Sequence, residues 1–482
     1  MLRKSVGDWQ NDYLGKLKIA GYSVVGLGVT AFNRIGPALV YPDYKIFCFK
    51  NSYDFDALGK LCPIYSLEKE EGFESIKRLN SLSLIKHEKF GEYIDKLEKK
   101  PAVFLYRSSK NIWKRLSKMG LKIIANAPEI RDQFEEKKKF FKIGRKIGLP
   151  MIPGEQWLID KLTEDNYSEV KDRIGEKLVF QLTDISMGGG KGTFFVNSKD
   201  DLNKFKAFVD EERKKRKLEW VNVTKFIDGP SPSITGCATR YGVLTGVVQT
   251  QVVDVPELSG GIKGRSGAFQ GHDWSYKYYS KKIQTQAEVI AQELGEYMYK
   301  KGYRGIFGVD LVVDGTDKVY PVECNPRYTG AFPVYSMLQK ADDEIPLDVF
   351  QLMEFLEIDY EMDFELMDRS WKQVKKGAHL ILSNPYHDKW VKVEGDLSGG
   401  VYRFVDGVLE WVREGATYLD LENDEEVVLT DGTPRRGQKV KPGMRVGKLV
   451  FKKGVLESPG KLKTWALKII DKVYSGYNLQ QC

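Results

Sequence analysis

The chain has 482 residues, 42% of them hydrophobic and 12% aromatic, with 75 basic and 67 acidic residues for a net charge of +8. That length accommodates about three domains with real cores; no run approaches the ~18 apolar residues of a bilayer span and no opening segment resembles a signal peptide, so a soluble, cytoplasmic protein is expected. The charge surplus is modest, and basic runs such as 136–139 and 213–217 are interleaved with acids, which argues against nucleic acid as a partner. Five scattered cysteines read as reduced thiols rather than a disulfide framework, and the four histidines show no spacing suited to zinc.

The first ~20 residues are polar and mixed and suggest a terminal helix or extension. Tyr22 to Gly28 is an apolar run closed by glycines, and a second run, Lys45 to Phe49, follows a longer connection, the alternation of parallel βα units. Gly26 and Gly28 lack the third glycine of a dinucleotide fingerprint, so the preferred reading is a small α/β domain whose first loop helps to bind a substrate. Ala102 to Leu105 and Leu121 to Ile124 continue the strands, with a helix from Ser109 to Met119 capped by Ser108. A basic helix is expected over Ile130 to Ile147, stopped by Gly148-Leu149-Pro150.

Leu178 to Gln181, then Met187 to Gly192, then Thr193 to Val196 read as strand, glycine loop, strand. Glycines let backbone N–H groups wrap phosphate oxygens without a Cβ in the way, and Lys191 adds a point charge. No helix follows and the G-K-[ST] ending is absent, so this is not a P-loop; a merely flexible turn is the alternative. Glu219 to Ile227 is a strand ending at Asp228-Gly229-Pro230, and strands are expected over Ser233 to Thr239 and Val243 to Val253. The glycine-rich loop from Asp254 to Asp273 carries Lys263 and Arg265 and suits a lid over an anionic intermediate, with a disordered insertion as the alternative. An amphipathic helix, Ser280 to Lys301, leads into the most informative stretch, GIFGVDLVVDGTDKVYPVECNPRYTG. Its apolar runs Ile306 to Val313 and Lys318 to Val322 flank an Asp314-Gly315-Thr316-Asp317 turn, a hairpin pattern that brings Asp310, Glu323 and Asn325 together with Arg327 beside them. An all-oxygen cluster of this kind suits Mg²⁺, which takes one or two carboxylates and keeps substrate phosphates as other ligands; a surface hairpin is the plainer reading. A helical stretch around Pro346 to Leu356, an acidic patch, five β-like runs from Lys376 onward and a closing helix, Lys461 to Tyr474, complete the chain.

In this order the pieces resemble the ATP-grasp superfamily, in its carboxylate–amine ligase and biotin-carboxylase-like branch, over about Asn126 to Leu338. The resemblance implies an N-terminal α/β domain (1–126), a two-lobed ATP-grasp core with its glycine-loop lobe (127–228) and metal-hairpin lobe (229–370), and a β-rich C-terminal region (371–482). It implies Asp310, Glu323 and Asn325 as ligands of Mg²⁺ (Mn²⁺ as a substitute) and Arg327 as the holder of phosphate or the reacting carboxylate. It further implies Lys137 as the first phosphate-binding lysine, with Lys138 and Lys139 open by one position, and Gly188, Gly189, Gly190 and Lys191 as the phosphate-covering loop. Lys225, Phe226 and Ile227 become the hinge whose backbone reads adenine, and Lys263 and Arg265 the lid loop. Two departures stand out: Gln181 occupies the usual place of a second lysine, and the hinge carries no glutamates, leaving Asp228 as the substitute ribose partner.

The activity implied is ATP-dependent joining of a carboxylate to an amine through an acyl phosphate, catalysed by Arg327 and Lys191 with no side-chain nucleophile. Alternatives are a bicarbonate-using carboxylase or a nucleotide-biosynthesis enzyme of the same fold, and a catalytically inactive nucleotide-binding regulator. The C-terminal region either completes a substrate pocket or makes a homodimer; its pattern leaves both open.

Overall fold

The computed structural model describes residues 4–70, 79–184, 190, 192–258, 267–276, 279–386 and 389–482. The helix Val6–Lys18 opens the chain, its capping box closed by Ser5 and Asp8. A parallel five-stranded sheet follows, ordered Ile64–Ser66, Tyr44–Cys48, Tyr22–Gly28, Lys100–Leu105, Lys122–Ile124. Its strands are near-continuous apolar runs because helices cover both faces. The strand order switches direction beside Tyr22–Gly28, so the loops after that strand and after Lys100–Leu105 open a crevice at their carboxyl ends. Ser109, not Ser108, caps the helix Lys110–Lys118; Ser108 instead donates to the Asn126 carbonyl and is buried.

The helix expected over Ile130 to Ile147 is two helices, Pro128–Glu135 and Lys137–Lys146, broken where Glu136 adopts an extended backbone. Phe134 and Phe140 are both buried in the same core, yet six residues of unbroken helix would place them about 240° apart around its axis. The break satisfies both rings and, as a consequence, aims the flanking Glu135 and Lys137 inward.

Gly154–Leu158, Trp220–Lys225, Leu178–Leu182 and Thr193–Val196 form an antiparallel sheet covered by two helices, Glu164–Ile174 and Lys199–Arg213. The second large sheet has eleven strands among the described residues, with the hairpin Gly305–Val313 and Val319–Asn325 at one edge. Pro321 is tolerated there because an edge strand has one side with no ladder to feed. The expected run Val243 to Val253 is two strands, Gly242–Thr245 and Gln249–Val253, and the end of the expected lid loop is itself the strand Phe269–Asp273. Phe269–Asp273 pairs with Ala378–Ser383, so the C-terminal β-rich region continues the sheet of the Gly305–Asn325 hairpin. No helix among the described residues is long and apolar enough to cross a membrane.

Candidate active site

Strand pairing builds the site as rows on one face of the sheet. Gln249, Ser233, Asp310 and Glu323 are successive cross-strand partners; one step along, Thr235, Gly308 and Asn325 form the next row. A bulge between Asp310 and Leu311 leaves Val322 without a partner and turns Glu323 onto the same face as Asp310. Cys324, between the two polar residues, points the other way, buried with its sulfur 4.0 Å from that of Met298.

The amide nitrogen of Asn325 donates to Asp310 at 3.0 Å, and that of Gln251 donates to the other Asp310 oxygen at 2.6 Å. Burial, and then the Glu323 carboxylate beside it, push the Asp310 carboxyl well above its ordinary range. Burial works in the same direction on Glu323, but the Lys137 ammonium, 3.2 Å away, prevails and holds it below that range. Two carboxylates this close resist carrying both charges at once, a condition that a divalent cation between them relieves. The donor set fits such an ion. Asn325 presents its nitrogen to Asp310 and its oxygen to Arg327 Nη2 at 3.0 Å, so ligation by its oxygen would require the amide to turn.

Arg327 is fixed from behind. Its Nε donates to Glu135 at 2.8 Å, and the same carboxylate forms ion pairs with Arg131 at 2.9 Å and Arg107 at 3.3 Å. Two guanidinium groups approach the Tyr106 ring, that of Arg34 at 4.8 Å and that of Arg327 at 5.7 Å from its centre. Of the three consecutive lysines, Lys137 alone turns toward the carboxylates: Lys138 sits 3.3 Å over the Trp220 ring and Lys139 pairs with Glu136. Asn222 holds the start of that helix by donating to the Lys137 carbonyl at 3.2 Å.

Two cavities meet at the carboxylate pair. One, of about 310 Å³, is walled by Lys137, Val179, Gln181, Lys225, Phe226, Ile227, Asp228 and Val253 and has Asp310 and Glu323 at its end. The other, of about 190 Å³, lies beyond the pair and carries Asn325 and Arg327. Gly190 and Gly267 border both. A Cβ on Gly190, at φ +78°, would lie 2.4 Å from the Gly267 carbonyl oxygen, so these two loops touch over the carboxylates. Asp254 anchors the second loop by accepting from the Gly267 and Ala268 amides at 2.6 and 2.9 Å. Gly188, Gly189, Lys191, Lys263 and Arg265 lie outside the described residues.

The structure thus brings Lys137, Gln181, Gly190, the hinge residues, Asp310, Glu323, Asn325 and Arg327 around one pair of cavities. Sequence reasoning passed over Gln251, Glu135, Arg107 and Arg131. Gln249 and Gln251 left a signal, since two amides at period two inside the apolar run VVQTQVV mark polar groups on one face of a buried strand. Glu135 left only its i,i+4 spacing to Arg131; Arg107 and Arg327 reach it from distant parts of the chain.

Residues 149–331 match the family model of the ATP-grasp domain. The arginine-specific carbamoyl phosphate synthase large chain of Halalkalibacterium halodurans is 22% identical over 226 residues, 46% of this chain and 19% of that one. The carbamoyl phosphate synthase large chain of Clostridium acetobutylicum is 21% identical over 423 residues, 84% of this chain and 36% of that one. The chain therefore spans about a fifth to a third of the length of these curated relatives. Among solved structures, the biotin carboxylase domain of Hydrogenobacter thermophilus 2-oxoglutarate carboxylase, a dimer in complex with MgADP, ADP and bicarbonate, matches with a TM-score of 0.62 at 12% identity, covering 95% of this chain and 91% of that one. The N5-carboxyaminoimidazole synthase of Aspergillus clavatus, in complex with ADP and 5-aminoimidazole ribonucleotide, matches at 0.54 and 12% identity, covering 95% of this chain and 100% of that one. At these identities the structural likeness concerns the fold.

Proposed function

We propose that this chain, whose residues 149–331 are an ATP-grasp domain, is an ATP-dependent ligase that joins a carboxylate to an amine through an acyl phosphate and releases ADP and phosphate. The observation that carries this reading is the half-buried Asp310–Glu323 pair at the boundary of two cavities, with one cation, Lys137, on the first side and another, Arg327, on the second. The larger cavity takes the nucleotide. Lys225 and Phe226 already spend their amides on the Pro153 and Lys177 carbonyls, so reading of the adenine edge falls to Ile227. Asp228 serves the ribose, and Gln181 offers a neutral donor toward phosphate.

When bound, Mg²⁺ (or Mn²⁺) at Asp310 and Glu323 neutralises charge on the transferring phosphoryl group. Arg327, immobilised by Glu135, holds the acid's carboxylate in line with that group, so positioning rather than a covalent side-chain intermediate supplies the rate. Lys137 draws charge off the phosphates, a role Lys191 shares from the glycine loop. An acyl phosphate is lost to water, and contact of the Gly190 and Gly267 loops over the site supports its protection. The amine then attacks the acyl carbon, phosphate departs, and a carbon–nitrogen bond remains.

The test is ADP and phosphate release by the purified chain with Mg²⁺ and ATP over a panel of acids and amines, with products identified by mass. Amine-dependent release that Glu323→Ala abolishes supports the ligase. Release dependent on bicarbonate alone favours a carboxylase, and tight ATP binding with no ADP under any combination favours a regulator.

A further inference from the structure

Both oxygens of Asp310 are engaged. Oδ1 accepts from Gln251 Nε2 at 2.6 Å, and Oδ2 accepts from Asn325 Nδ2 at 3.0 Å. The two amides differ in what else holds them. The Asn325 oxygen is taken by Arg327 Nη2 at 3.0 Å, whereas the Gln251 side chain has no hydrogen-bond partner besides Asp310 among the described residues.

Strand register explains why the second donor is Gln251. Asp310 is paired with Ser233, and Ser233 with Gln249, but Gln249 is committed within that row: its amide donates to Ser233 Oγ at 3.0 Å and its oxygen accepts from Trp274 Nε1 at 2.8 Å. Gln251 lies two positions further along the same strand and therefore on the same face. From there its side chain reaches across the strand Pro232–Thr239, which separates its own strand from that of Asp310. It arrives where the two cavities meet, and among the described residues its amide is the one uncharged polar side chain that lines both.

The two contacts answer differently to a cation. For the Asn325 oxygen to meet an ion at the carboxylate pair its amide must turn, and the N–H that held Asp310 Oδ2 leaves with it. The Gln251 bond needs no such change, so Oδ1 stays occupied and Oδ2 is the oxygen released. A carboxylate restrained in this way offers one oxygen rather than two. Mg²⁺ demands near-ideal octahedral geometry at ~2.0–2.1 Å, which single oxygens suit, while Ca²⁺ takes about 6–8 oxygens at ~2.3–2.6 Å and accepts carboxylates through both.

We infer that Gln251 is a positioning residue that keeps one Asp310 oxygen engaged and so sets a preference of the site for Mg²⁺ over Ca²⁺. This rests on the metal site of the ligase reading and specifies its ion selectivity.

The experiment reads binding rather than turnover. Calorimetric Kd values for ADP are measured on the full chain with saturating Mg²⁺, with saturating Ca²⁺ and with chelator. The parent is compared with Gln251→Met, which keeps the length of the side chain and loses its N–H, and with Gln251→Asn, whose amide falls one methylene short. Thr250→Val is the control, because Thr250 precedes Gln251 on the opposite face, is buried, and has an Oγ1 without a partner. Groups that orient a metal-ligating side chain are worth about 10–100-fold in metal affinity, so each Gln251 variant should weaken Mg²⁺-supported ADP binding by about tenfold and Ca²⁺-supported binding by less than about threefold. Binding in chelator should stay as in the parent, which also shows that the variant is folded, and Thr250→Val should keep the parent's ratio of Mg²⁺ to Ca²⁺ affinity. An unchanged ratio in the Gln251 variants, a loss of equal size with and without ion, or the same shift in Thr250→Val overturns the inference and leaves the ligase reading standing. A parent that binds ADP equally well with Mg²⁺ and Ca²⁺ does the same. A parent whose ADP affinity responds to neither ion overturns the metal site and the inference together.

Discussion

The residues that matter most here are charged groups whose behaviour is set by one neighbour. Asp310 and Glu323 differ because only Glu323 has Lys137 at 3.2 Å. Asp310→Asn should keep the fold, since its new NH₂ can be met by the Gln251 oxygen once that amide turns, yet lower Mg²⁺-dependent turnover by about a hundredfold or more, as read from initial rates of ADP release. Glu135 is a positioning residue encircled by three arginines. Glu135→Gln leaves buried guanidinium charge uncompensated and should cost about 3 kcal/mol of stability, measured by urea denaturation. Asp348 gives a pH signature. Burial raises its carboxyl to about 7 despite the Ser336 hydroxyl that donates to it. An unfolded chain releases that proton near 3.9, so from about pH 4 to pH 7 the folded state binds the extra proton and stability falls as pH rises. The drop in urea midpoint between pH 5 and pH 8 should be smaller in Asp348→Asn than in the parent.

Elements act through their irregularities. The break at Glu136 sends Glu135 and Lys137 to two different jobs, the bulge at Val322 turns Glu323 toward Asp310, and the left-handed Gly190 lets two loops meet. Each is invisible to a reading based on regular periods, which predicts one helix from Ile130 to Ile147 and an unbulged hairpin. The loop contact yields a prediction. Gly190→Ala adds a methyl 2.4 Å from the Gly267 oxygen at an unfavourable φ, so the loops must part. The variant should form more ADP per amide bond, because water reaches the acyl phosphate; the ratio of ADP to product measures it.

On the scale of the molecule, the first loop of the N-terminal sheet, the hairpin lobe and the C-terminal strands are tied by one buried cluster. Asp431 accepts from Thr30 at 2.9 Å and from Asn33 at 3.1 Å and pairs with Arg445 and Lys448; Lys448 also reaches the Gly330 carbonyl at 3.3 Å, on the wall of the smaller cavity. Burial would raise the Asp431 carboxyl, but the two cations hold it at about 2. Asp431→Asn should cost about 3–5 kcal/mol, seen in calorimetry as a lowered transition. Because its folded pKa is depressed, the stability this carboxylate contributes is present above the unfolded value near 3.9 and is lost as pH falls toward about 2.

By itself the sequence determined many of the local elements and the group of polar residues that meet at the hairpin. Tyr22–Gly28 follows from its apolar run, and the helix expected over Ser280 to Lys301 is observed as Lys281–Lys300 with Ser280 as its cap. Asp310, Glu323, Asn325 and Arg327 are legible because they lie within one hairpin, where chain proximity alone forces them together. Only the tertiary structure turned Lys137, of three lysines, toward the carboxylates, placed Glu135 behind Arg327, and lined the smaller cavity with Ser233, Thr235, Gln249 and His272. Those residues meet because non-adjacent strands pair in one register, and register is a property of the whole buried face rather than of any single segment.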